Sequence, residues 1–471
     1  GRDGPDGGTT AALAPPPVSL EGLRHTPFLP LAHMFLTGWR DKDAPTLRRH
    51  RGDFYHWRDG RYQPLGREEV DREVLNFLAA ILQPEEVNPQ LVQGVHALLK
   101  SLTLVGEEYA MPVWLDGRNS TGPDRRYVAM ANGVLDLEAL FAGRARKFGD
   151  VLLPPSPLWF SRTVLSYEFD PAAECPLWTS VLDRVLEEDR DRIALLQEWF
   201  GYNLVADTSH QKLLILVGEG NNGKSLVCNT LTELLGPENV SGVPLEAFGS
   251  RFGLYPTLGK LANVVPEVGE LDRVAEGGLK AFTGADYMTY DRKNRDPIQE
   301  RPTARLIIST NNLPRFSDRS QGVWRRILLL PFQVNLPPEE VDLNLADKLR
   351  VELPGIFIWA LAGLMRLRRR GRFTEPAVSL AALREYRDES NPTGQFLEGA
   401  TSAGGQVGCS ELYDAYRTWV VRHGNKPLAI ANFSRELKKR YPAVERRLTG
   451  GRKKRRWVYD GVTLDSDFDS I

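Results

Sequence analysis

Eight consecutive residues, Gly218 to Ser225, have the types and spacing of a loop that wraps around phosphate groups. They read Gly-Glu-Gly-Asn-Asn-Gly-Lys-Ser. Glycines let backbone N–H groups turn inward toward phosphate oxygens, and the start of a following helix adds positive potential. In such a loop Lys224 contacts the β- and γ-phosphates of a nucleotide, and the Ser225 hydroxyl is a ligand of Mg²⁺. The candidate nucleotide-binding residues are Gly218, Glu219, Gly220, Asn221, Asn222, Gly223, Lys224 and Ser225.

Nucleotide hydrolysis also requires a carboxylate, and Glu267 is the candidate. It follows the apolar run 262–265 and Pro266. A carboxylate at that position holds Mg²⁺ through water or polarises the attacking water. Glu270 is a nearby competitor, and a solvated loop glutamate is the alternative interpretation.

Two further groups of polar residues follow apolar runs or precede them. Asn311 comes after the run 306–308, where its amide could orient water or sense the γ-phosphate. Arg325 and Arg326 come just before the run 327–330, and an arginine at a subunit edge can complete the site of a neighbouring copy. The alternatives are a turn-capping asparagine and a pair of solvated arginines.

The elements that must position these residues are strands that alternate with longer segments. The runs 213–217, 262–265, 306–308 and 327–330 are short, apolar and without polar alternation. Such runs are typical of strands buried on both faces, so we predict an α/β fold with a parallel sheet. A helix is expected at residues 226–235, directly after the glycine-rich loop, and this context favours a phosphate-binding loop over a chance turn.

The rest of the chain shows weaker patterns. We expect a hairpin around the Asp59-Gly60 turn, helices at residues 68–82 and 89–104, and short extended pieces near 127–137 and 151–157. Further expected features are helices within 176–204, a helical stretch at 345–370 and a linker at 391–394.

The C-terminal region is strongly basic. Between Asn432 and Trp457 eleven Arg and Lys residues stand against two Glu, although the whole chain has a net charge of −1. Helices at 410–423 and 431–441, followed by a hairpin that turns at 449–451, fit a winged helix whose helix enters a DNA groove and whose wing contacts phosphates. A solvated charge run is the alternative. The candidate DNA contacts are Arg435, Lys438, Lys439, Arg452, Lys453, Lys454, Arg455 and Arg456.

Composition limits the class of protein. A length of 471 residues suggests two to four domains, and 42% hydrophobic with 26% charged residues is ordinary for a soluble globular chain. Three widely spaced cysteines favour a reducing, cytoplasmic setting over a disulfide framework or a zinc ribbon. We find no membrane-spanning run and no metal-ligand spacing among the seven histidines. Ahead of residue 200 we find no acidic cluster suited to primer synthesis, so priming would belong to another segment or protein.

Taken in order, these motifs resemble the superfamily 3 helicases. The resemblance is closest to the phage and plasmid primase-helicase family related to the poxvirus nucleoside triphosphatase-primase, and it covers roughly residues 50–460. Further matches are Leu-Lys-Ala-Phe-Thr-Gly-Ala-Asp at 279–286, Asp-Arg-Lys at 291–293, Ala-Asn-Gly-Val-Leu-Asp-Leu at 131–137, Cys-Pro-Leu-Trp at 175–178 and Gln-Glu-Trp-Phe-Gly-Tyr at 197–202.

The resemblance implies a ring of usually six subunits around DNA, driven by ATP and Mg²⁺. Lys224 and Ser225 would bind phosphates and metal, Glu267 would be the hydrolytic carboxylate and metal partner, and Asn311 the phosphate sensor. Arg325, or else Arg326, would reach the neighbouring subunit's site. A hairpin lining the central channel would supply Lys280, Arg292, Lys293 and Arg295.

The resemblance also implies a domain layout and partners. A disordered leader (1–22) would precede a mainly helical domain (23–165), a P-loop AAA+ core (166–385), a winged-helix domain (386–460) and an acidic tail (461–471). The expected partners are single-stranded and forked DNA, other copies of the chain, and a primase or polymerase, in the replication of a phage, plasmid or other mobile element.

Two departures from the family pattern leave alternatives open. Pro266 stands before Glu267 where two adjacent acids are common, and Ala285 replaces a common glycine. A weak hydrolytic site would suit a replication initiator or DNA-binding scaffold that uses ATP for assembly. A small-molecule kinase is the third alternative, but it leaves the basic C-terminal region without a role.

Overall fold

The computed structural model describes residues 28–118, 122–143, 150–266, 275–284, 286–314, 316, 321–337, 342, 344–450 and 455–465. None of the helices in these ranges has both the length and the apolar character needed to cross a bilayer. The three cysteines are buried, unpaired thiols.

The N-terminal part, up to residue 160, combines helices with short antiparallel strands. Two amphipathic helices contribute to its hydrophobic core. The helix Arg67–Ile81 buries Val70, Val74, Leu78 and Ile81 on a single face. The elements are α1 (Phe28–Thr37), β1 (Arg40–Asp41), β2 (Ala44–Pro45), β3 (Leu47–His50), β4 (Asp53–Arg58), β5 (Arg61–Leu65), α2 (Arg67–Ile81), α3 (Pro89–Leu102), β6 (Val113–Trp114), β7 (Tyr127–Met130), β8 (Gly133–Asp136), α4 (Leu137–Phe141), β9 (Leu152–Leu153) and β10 (Trp159–Phe160).

Beside its helices, the N-terminal part also holds four small antiparallel sheets among its described residues. Their strands are only two to six residues long, so the alternation that marks a strand is too short to read from sequence. The predicted hairpin is confirmed: β4 and β5 pair across a turn in which Asp59 and Gly60 both have positive φ.

The central part contains a parallel sheet with helices on both sides. Its elements are α5 (Pro176–Val185), α6 (Arg190–Asn203), β11 (Leu213–Val217), α7 (Lys224–Leu235), β12 (Val240–Ser241), β13 (Ala262–Val265), α8 (Glu276–Thr283), β14 (Met288–Arg292), β15 (Arg295–Glu300), β16 (Arg305–Thr310), α9 (Gln321–Trp324), β17 (Ile327–Pro331), α10 (Leu345–Val351), α11 (Leu353–Arg370) and α12 (Ala377–Glu389).

The five strands of the central sheet lie in the order β12-β13-β16-β11-β17, and all neighbouring pairs are parallel. Both faces are covered. Leu214 and Leu216 of β11 pack into one hydrophobic cluster, while Leu213 and Ile215 pack into another on the opposite face. Burial on both faces explains the unalternating apolar runs of the sequence, so the predicted α/β class and its four strands are confirmed.

The stretch 345–370 is helical as predicted, but it is two helices separated at Glu352. The Glu352 carboxylate accepts hydrogen bonds from the backbone N–H groups of Leu177 (3.0 Å) and Trp178 (2.9 Å). These N–H groups belong to the first turn of α5, where no intrahelical acceptor exists. Glu352, at the break between α10 and α11, therefore caps the N-terminus of α5.

The C-terminal part has its own hydrophobic core and a three-stranded antiparallel sheet in the order β18-β20-β19. The predicted linker at 391–394 was wrong: Asn391 caps a helix by accepting a hydrogen bond from Gly394 N at 3.1 Å, and Pro392 begins that helix. The elements are α13 (Pro392–Gly399), β18 (Thr401–Gly408), α14 (Cys409–Arg422), α15 (Ile430–Arg440), β19 (Glu445–Thr449) and β20 (Arg456–Leu464).

Candidate functional site

The carboxyl ends of the central strands meet at one edge of the sheet, which we call the carboxyl edge. Val217 at the end of β11 is paired with Thr310 of β16 on one side and with Pro331 of β17 on the other. The residues that follow these ends, Gly218 and Asn311 among them, are therefore neighbours. In open α/β sheets this edge is where ligands bind.

Residues 218–223, the glycine loop, connect β11 to α7. Gly223 is the N-cap of α7 and has φ of +93°, and a Cβ atom built there would lie 2.9 Å from Val185 Cγ1. A Cβ at Gly218 would lie 2.2 Å from the carbonyl oxygen of Phe332. Both positions require glycine, because a side chain would collide with the packed neighbours.

The segment after β17 supports the loop from the side. Phe332 N donates to Val217 O at 2.7 Å, and Leu336 N donates to Asn221 O at 2.8 Å. The buried Asn222 amide donates to Glu219 O within the loop and to Phe332 O at 3.4 Å. These bonds fix the shape of the loop.

Lys224 is buried at the start of α7, with its ammonium folded into the glycine loop. Nζ donates to Gly218 O at 2.5 Å, to Glu219 O at 3.0 Å and to Asn222 Oδ1 at 3.0 Å. Burial lowers the pKa of Lys224. Among the residues described, no carboxylate lies within ion-pair distance of it, so its charge is balanced only by neutral oxygens. A buried cation in this state favours an anionic ligand.

The first turn of α7 adds donors to the same place. The helix has no side-chain cap, since its N-cap is glycine. The first N–H groups of a helix have no intrahelical acceptor, and they carry the positive end of the helix dipole. The Ser225 side chain is exposed in this turn.

Asn311 lies at the carboxyl edge, one residue beyond the pair Val217–Thr310. It is exposed, and the Thr310 hydroxyl donates to Asn312 O, which shapes the turn. The proposed hydrolytic residue Glu267 and its competitor Glu270 lie outside the described residues. The strand that leads to them is described to its end, and β13 pairs directly with β16.

Arg325 and Arg326, the arginine pair, lie at the opposite edge of the sheet. Arg326 O accepts from Leu213 N, the first residue of β11, at 2.9 Å, and Lys212 Nζ donates to Arg325 O at 2.6 Å. Arg325 is exposed, whereas Arg326 is buried and donates to Gly322 O. Burial, together with the charge of Arg325, lowers the pKa of Arg326. The structure thus separates a solvent-facing arginine from one engaged within its own chain.

The antiparallel strands β14 and β15 form a hairpin, here called the core hairpin, which is docked on the N-terminal part. Arg292 is buried and contacts Asp53 Oδ2 at 2.6 Å, while Arg295 contacts Asp53 Oδ1 at 2.8 Å. At the other end of the hairpin Arg51 is paired with Glu300. Of the residues expected to face DNA, Arg292 and Arg295 therefore have a carboxylate partner in the chain. Lys293 is exposed at the turn, and Lys280 is half-buried on α8.

The C-terminal candidates lie on two adjacent surfaces. Arg435, Lys438 and Lys439 are exposed on α15, and Lys439 is paired with Glu436 at 2.6 Å. Arg455 and Arg456 are exposed where β20 begins. The remaining candidates, Arg452, Lys453 and Lys454, lie outside the described residues.

Sequence reasoning missed several contacts that shape these sites. Asp53 carries no sequence signal, because its partners are more than two hundred residues away. Asn222 was identified as part of the loop, but its bond to Phe332 depends on the neighbouring strand. Within the described residues no cluster of three His, Cys, Asp or Glu side chains could hold a metal ion by itself.

Comparison with known proteins gives a partial match. A family of unknown function (DUF5906) matches residues 216–326, which include the glycine loop and the arginine pair. "Putative helicase L207/L206" of Acanthamoeba polyphaga mimivirus is 25% identical over 245 residues, covering 46% of this chain and 25% of that protein. "Putative helicase 022R" of Frog virus 3 (isolate Goorha) is 23% identical over 235 residues, covering 44% of this chain and 24% of that protein. The aligned part thus spans about a quarter of the length of these relatives.

Among solved structures, the A form apo structure of the NrS-1 C terminal region is similar over nearly the whole chain. The match covers 92% of this chain and 98% of that one, with a TM-score of 0.53 and 13% sequence identity. At this identity the likeness concerns the fold alone. Nearly the whole of this chain therefore has a counterpart in one solved fold.

Proposed function

We propose that this protein is an ATP-dependent DNA helicase or translocase that works as a ring of identical subunits in the replication of a phage, plasmid or other mobile element. The α/β core at 166–385 would be a superfamily 3 motor of the P-loop AAA+ type. The helicase names of the viral relatives support this assignment.

The observation that carries the proposal is the buried Lys224 ammonium inside the glycine loop. It faces neutral oxygens next to the uncapped N-terminus of α7, at the edge of a parallel sheet. A nucleotide triphosphate would supply the negative charge that this arrangement lacks. The two glycines that exclude a Cβ leave room for the backbone to approach phosphate oxygens.

The proposal also assigns roles to the other candidate residues of the nucleotide site. Lys224 would shift from the loop oxygens to the phosphates, and the exposed Ser225 hydroxyl, with Glu267, would hold Mg²⁺. Mg²⁺ when bound neutralises the charge that develops on the phosphates. Glu267 would orient and deprotonate the attacking water, and Asn311 would hold that water or the γ-phosphate through its amide.

The arginine pair would act on the neighbouring subunit. Arg325 is exposed at the edge of the sheet opposite the glycine loop, so it faces away from its own candidate nucleotide site. Arg326 is engaged with Gly322 and would hold the segment in place. Arg325 is accordingly the residue we assign as the finger that stabilises transition-state charge.

DNA would contact two regions. Lys293 at the turn of the core hairpin and Lys280 on α8 would face the central channel, with Arg295 and Arg292 beside them. The C-terminal part, residues 386–460, would be a winged-helix domain. Its order of helix, strand, two helices and two strands supports this, as does the row of cations on α15. Single-stranded and forked DNA would be the substrates, and a primase or polymerase would use the product.

The direct test is ATP turnover and strand displacement by the purified full chain. We expect turnover that rises with single-stranded DNA, and displacement of the annealed strand from a fork when ATP and Mg²⁺ are present. Lys224→Ala should abolish both while leaving the protein folded. Turnover that ignores DNA, together with no displacement, would exclude the motor.

An ATP-regulated replication initiator or scaffold is the second candidate, and Pro266 is the observation that favours it. It stands where a second acidic residue is common in superfamily 3, so hydrolysis could be weak. Glu267→Gln separates the two: a motor loses displacement but retains nucleotide-dependent assembly, whereas a scaffold retains full function.

A further inference from the structure

The hairpin formed by β19 and β20, here called the wing, exposes two large apolar side chains side by side. Trp457 is 48% exposed and Leu448 is 46% exposed. They are directly opposite each other in the antiparallel register, so they share one face of the wing. Exposed tryptophan in the middle of a basic segment is unusual, because burial of its ring is strongly favourable.

The Arg446 guanidinium lies over one face of the Trp457 indole. It is 4.5 Å from the centroid of the Trp457 ring, diagonally across the strands. Burial raises the pKa of the nearby Cys409 thiol, and a hydrogen bond from the Arg446 side chain opposes that shift. Arg446 thus connects the indole to the body of the C-terminal part. The ring has one covered face, yet about half of the side chain remains in contact with solvent.

The same face of the wing continues onto α15. Tyr459 lies opposite Arg446 in the register, and its hydroxyl forms a 2.6 Å hydrogen bond with the Ser434 hydroxyl. Lys438 is one helical turn beyond Ser434 and is exposed. The indole therefore lies on a surface that combines an aromatic ring, an apolar neighbour and cations.

We propose that Trp457 and Leu448 form a stacking platform for an unpaired nucleobase, so that this surface prefers single-stranded DNA to duplex. The inference rests on the proposed function in taking DNA as the ligand. The flanking cations suit the backbone of a single strand, and aromatic side chains bind unpaired bases of any sequence. Inside a duplex both faces of a base are covered by its neighbours, which leaves none for the indole.

The test compares binding of the full chain, without nucleotide, to a fluorescein-labelled oligothymidine strand and to a blunt duplex of equal length. Trp457→Ala should weaken single-strand binding about tenfold and leave duplex binding unchanged, since one stacked base contributes this much. Trp457→Phe should retain most of the affinity. The salt dependence of single-strand binding should keep its slope in Trp457→Ala, but lose about one unit in Lys438→Ala, which removes an exposed candidate phosphate contact on the same surface.

Arg447→Ala is the matched control on the other face of the wing, where Arg447 is paired with Glu445 and Asp460. It should leave the ratio of single-strand to duplex affinity unchanged. Equal weakening of both DNA forms by Trp457→Ala, or no effect on either, overturns the platform.

The platform and the motor can fail separately. In one outcome, Trp457→Ala loses the preference for single strands, and the wild-type chain shows no ATP-driven displacement. That result would support the platform and exclude the motor. Displacement by the wild-type chain, with Trp457→Ala binding every DNA form normally, would exclude the platform alone.

Discussion

Lys224 and Arg325 lie at opposite edges of one parallel sheet, separated by the full length of β11. The glycine loop follows Val217 at one end of this strand, and Arg326 O accepts from Leu213 N at the other end. Five residues of strand span roughly 16 Å, which is longer than an arginine side chain. A contact between Arg325 and a nucleotide in the glycine loop must therefore come from a second copy of the chain.

Mixing two inactive variants tests this geometry. Lys224→Ala and Arg325→Ala should each lower ATP turnover by about a thousandfold, the scale expected for a lost phosphate contact or arginine finger. Mixed together, they should recover part of the activity, because some interfaces then combine an intact loop with an intact arginine. The measurement is steady-state ATP hydrolysis across a series of mixing ratios. If no mixture hydrolyses ATP faster than the sum of its two components, the site is not shared between subunits.

The Asn311 amide should matter for turnover and little for nucleotide binding. Asn311→Ala should lower the rate of hydrolysis about a hundredfold, as for other lost transition-state donors, while the Kd for a non-hydrolysable ATP analogue changes little. Asn312→Ala is the matched control, since Asn312 is also exposed in the same turn and contributes its carbonyl to Thr310. Equal effects of the two variants would contradict the assignment of Asn311.

Asp53 should stabilise the docking of the core hairpin through the buried Arg292. Asp53→Ala leaves that guanidinium without its carboxylate, so the free energy of unfolding should fall by about 2–3 kcal/mol. Adding Arg292→Met should restore part of the loss, because the buried charge is then absent. Denaturant unfolding of the single and double variants measures the coupling. Lys293→Ala, at the exposed turn, should change stability by less than about 0.5 kcal/mol. Strictly additive losses would contradict the coupling.

His50 should make stability fall at acidic pH. Burial lowers its pKa from 6.5 to about 4, with Arg51 adding to the shift. Between these values the unfolded chain takes up a proton that the folded chain refuses, so stability decreases as the pH falls from about 6.5 toward 4. At pH 5 the contribution of this group is a loss of about 2 kcal/mol relative to pH 7.

The measurement is denaturant unfolding of wild type and His50→Phe at pH 7 and pH 5. The variant cannot titrate at this position, so its stability should fall less between the two values. His33→Gln, at an exposed histidine, should behave as wild type. An unchanged pH dependence in His50→Phe would contradict the assignment.

Much of the central fold could be predicted because its signals are local. A short apolar run followed by a glycine-rich turn and a helix is encoded within about twenty-five residues, and β11, the glycine loop and α7 appear there. The helices and basic hairpin of the C-terminal part were likewise found to within a few residues. The capping role of Asn391 was missed because an Asn-Pro pair suits both a linker and a helix start.

The sequence by itself determined which residues have suitable chemistry: a lysine and a serine after a glycine loop, an asparagine after a strand, an arginine pair before one. Only the tertiary structure decided that Asn311 lies beside the glycine loop, that Arg325 lies at the far edge, and that Arg292 is occupied by Asp53. The physical reason is range. Glycine turns and apolar periodicity act between near neighbours in the chain, whereas strand order, register and burial of charge depend on segments brought together only by folding.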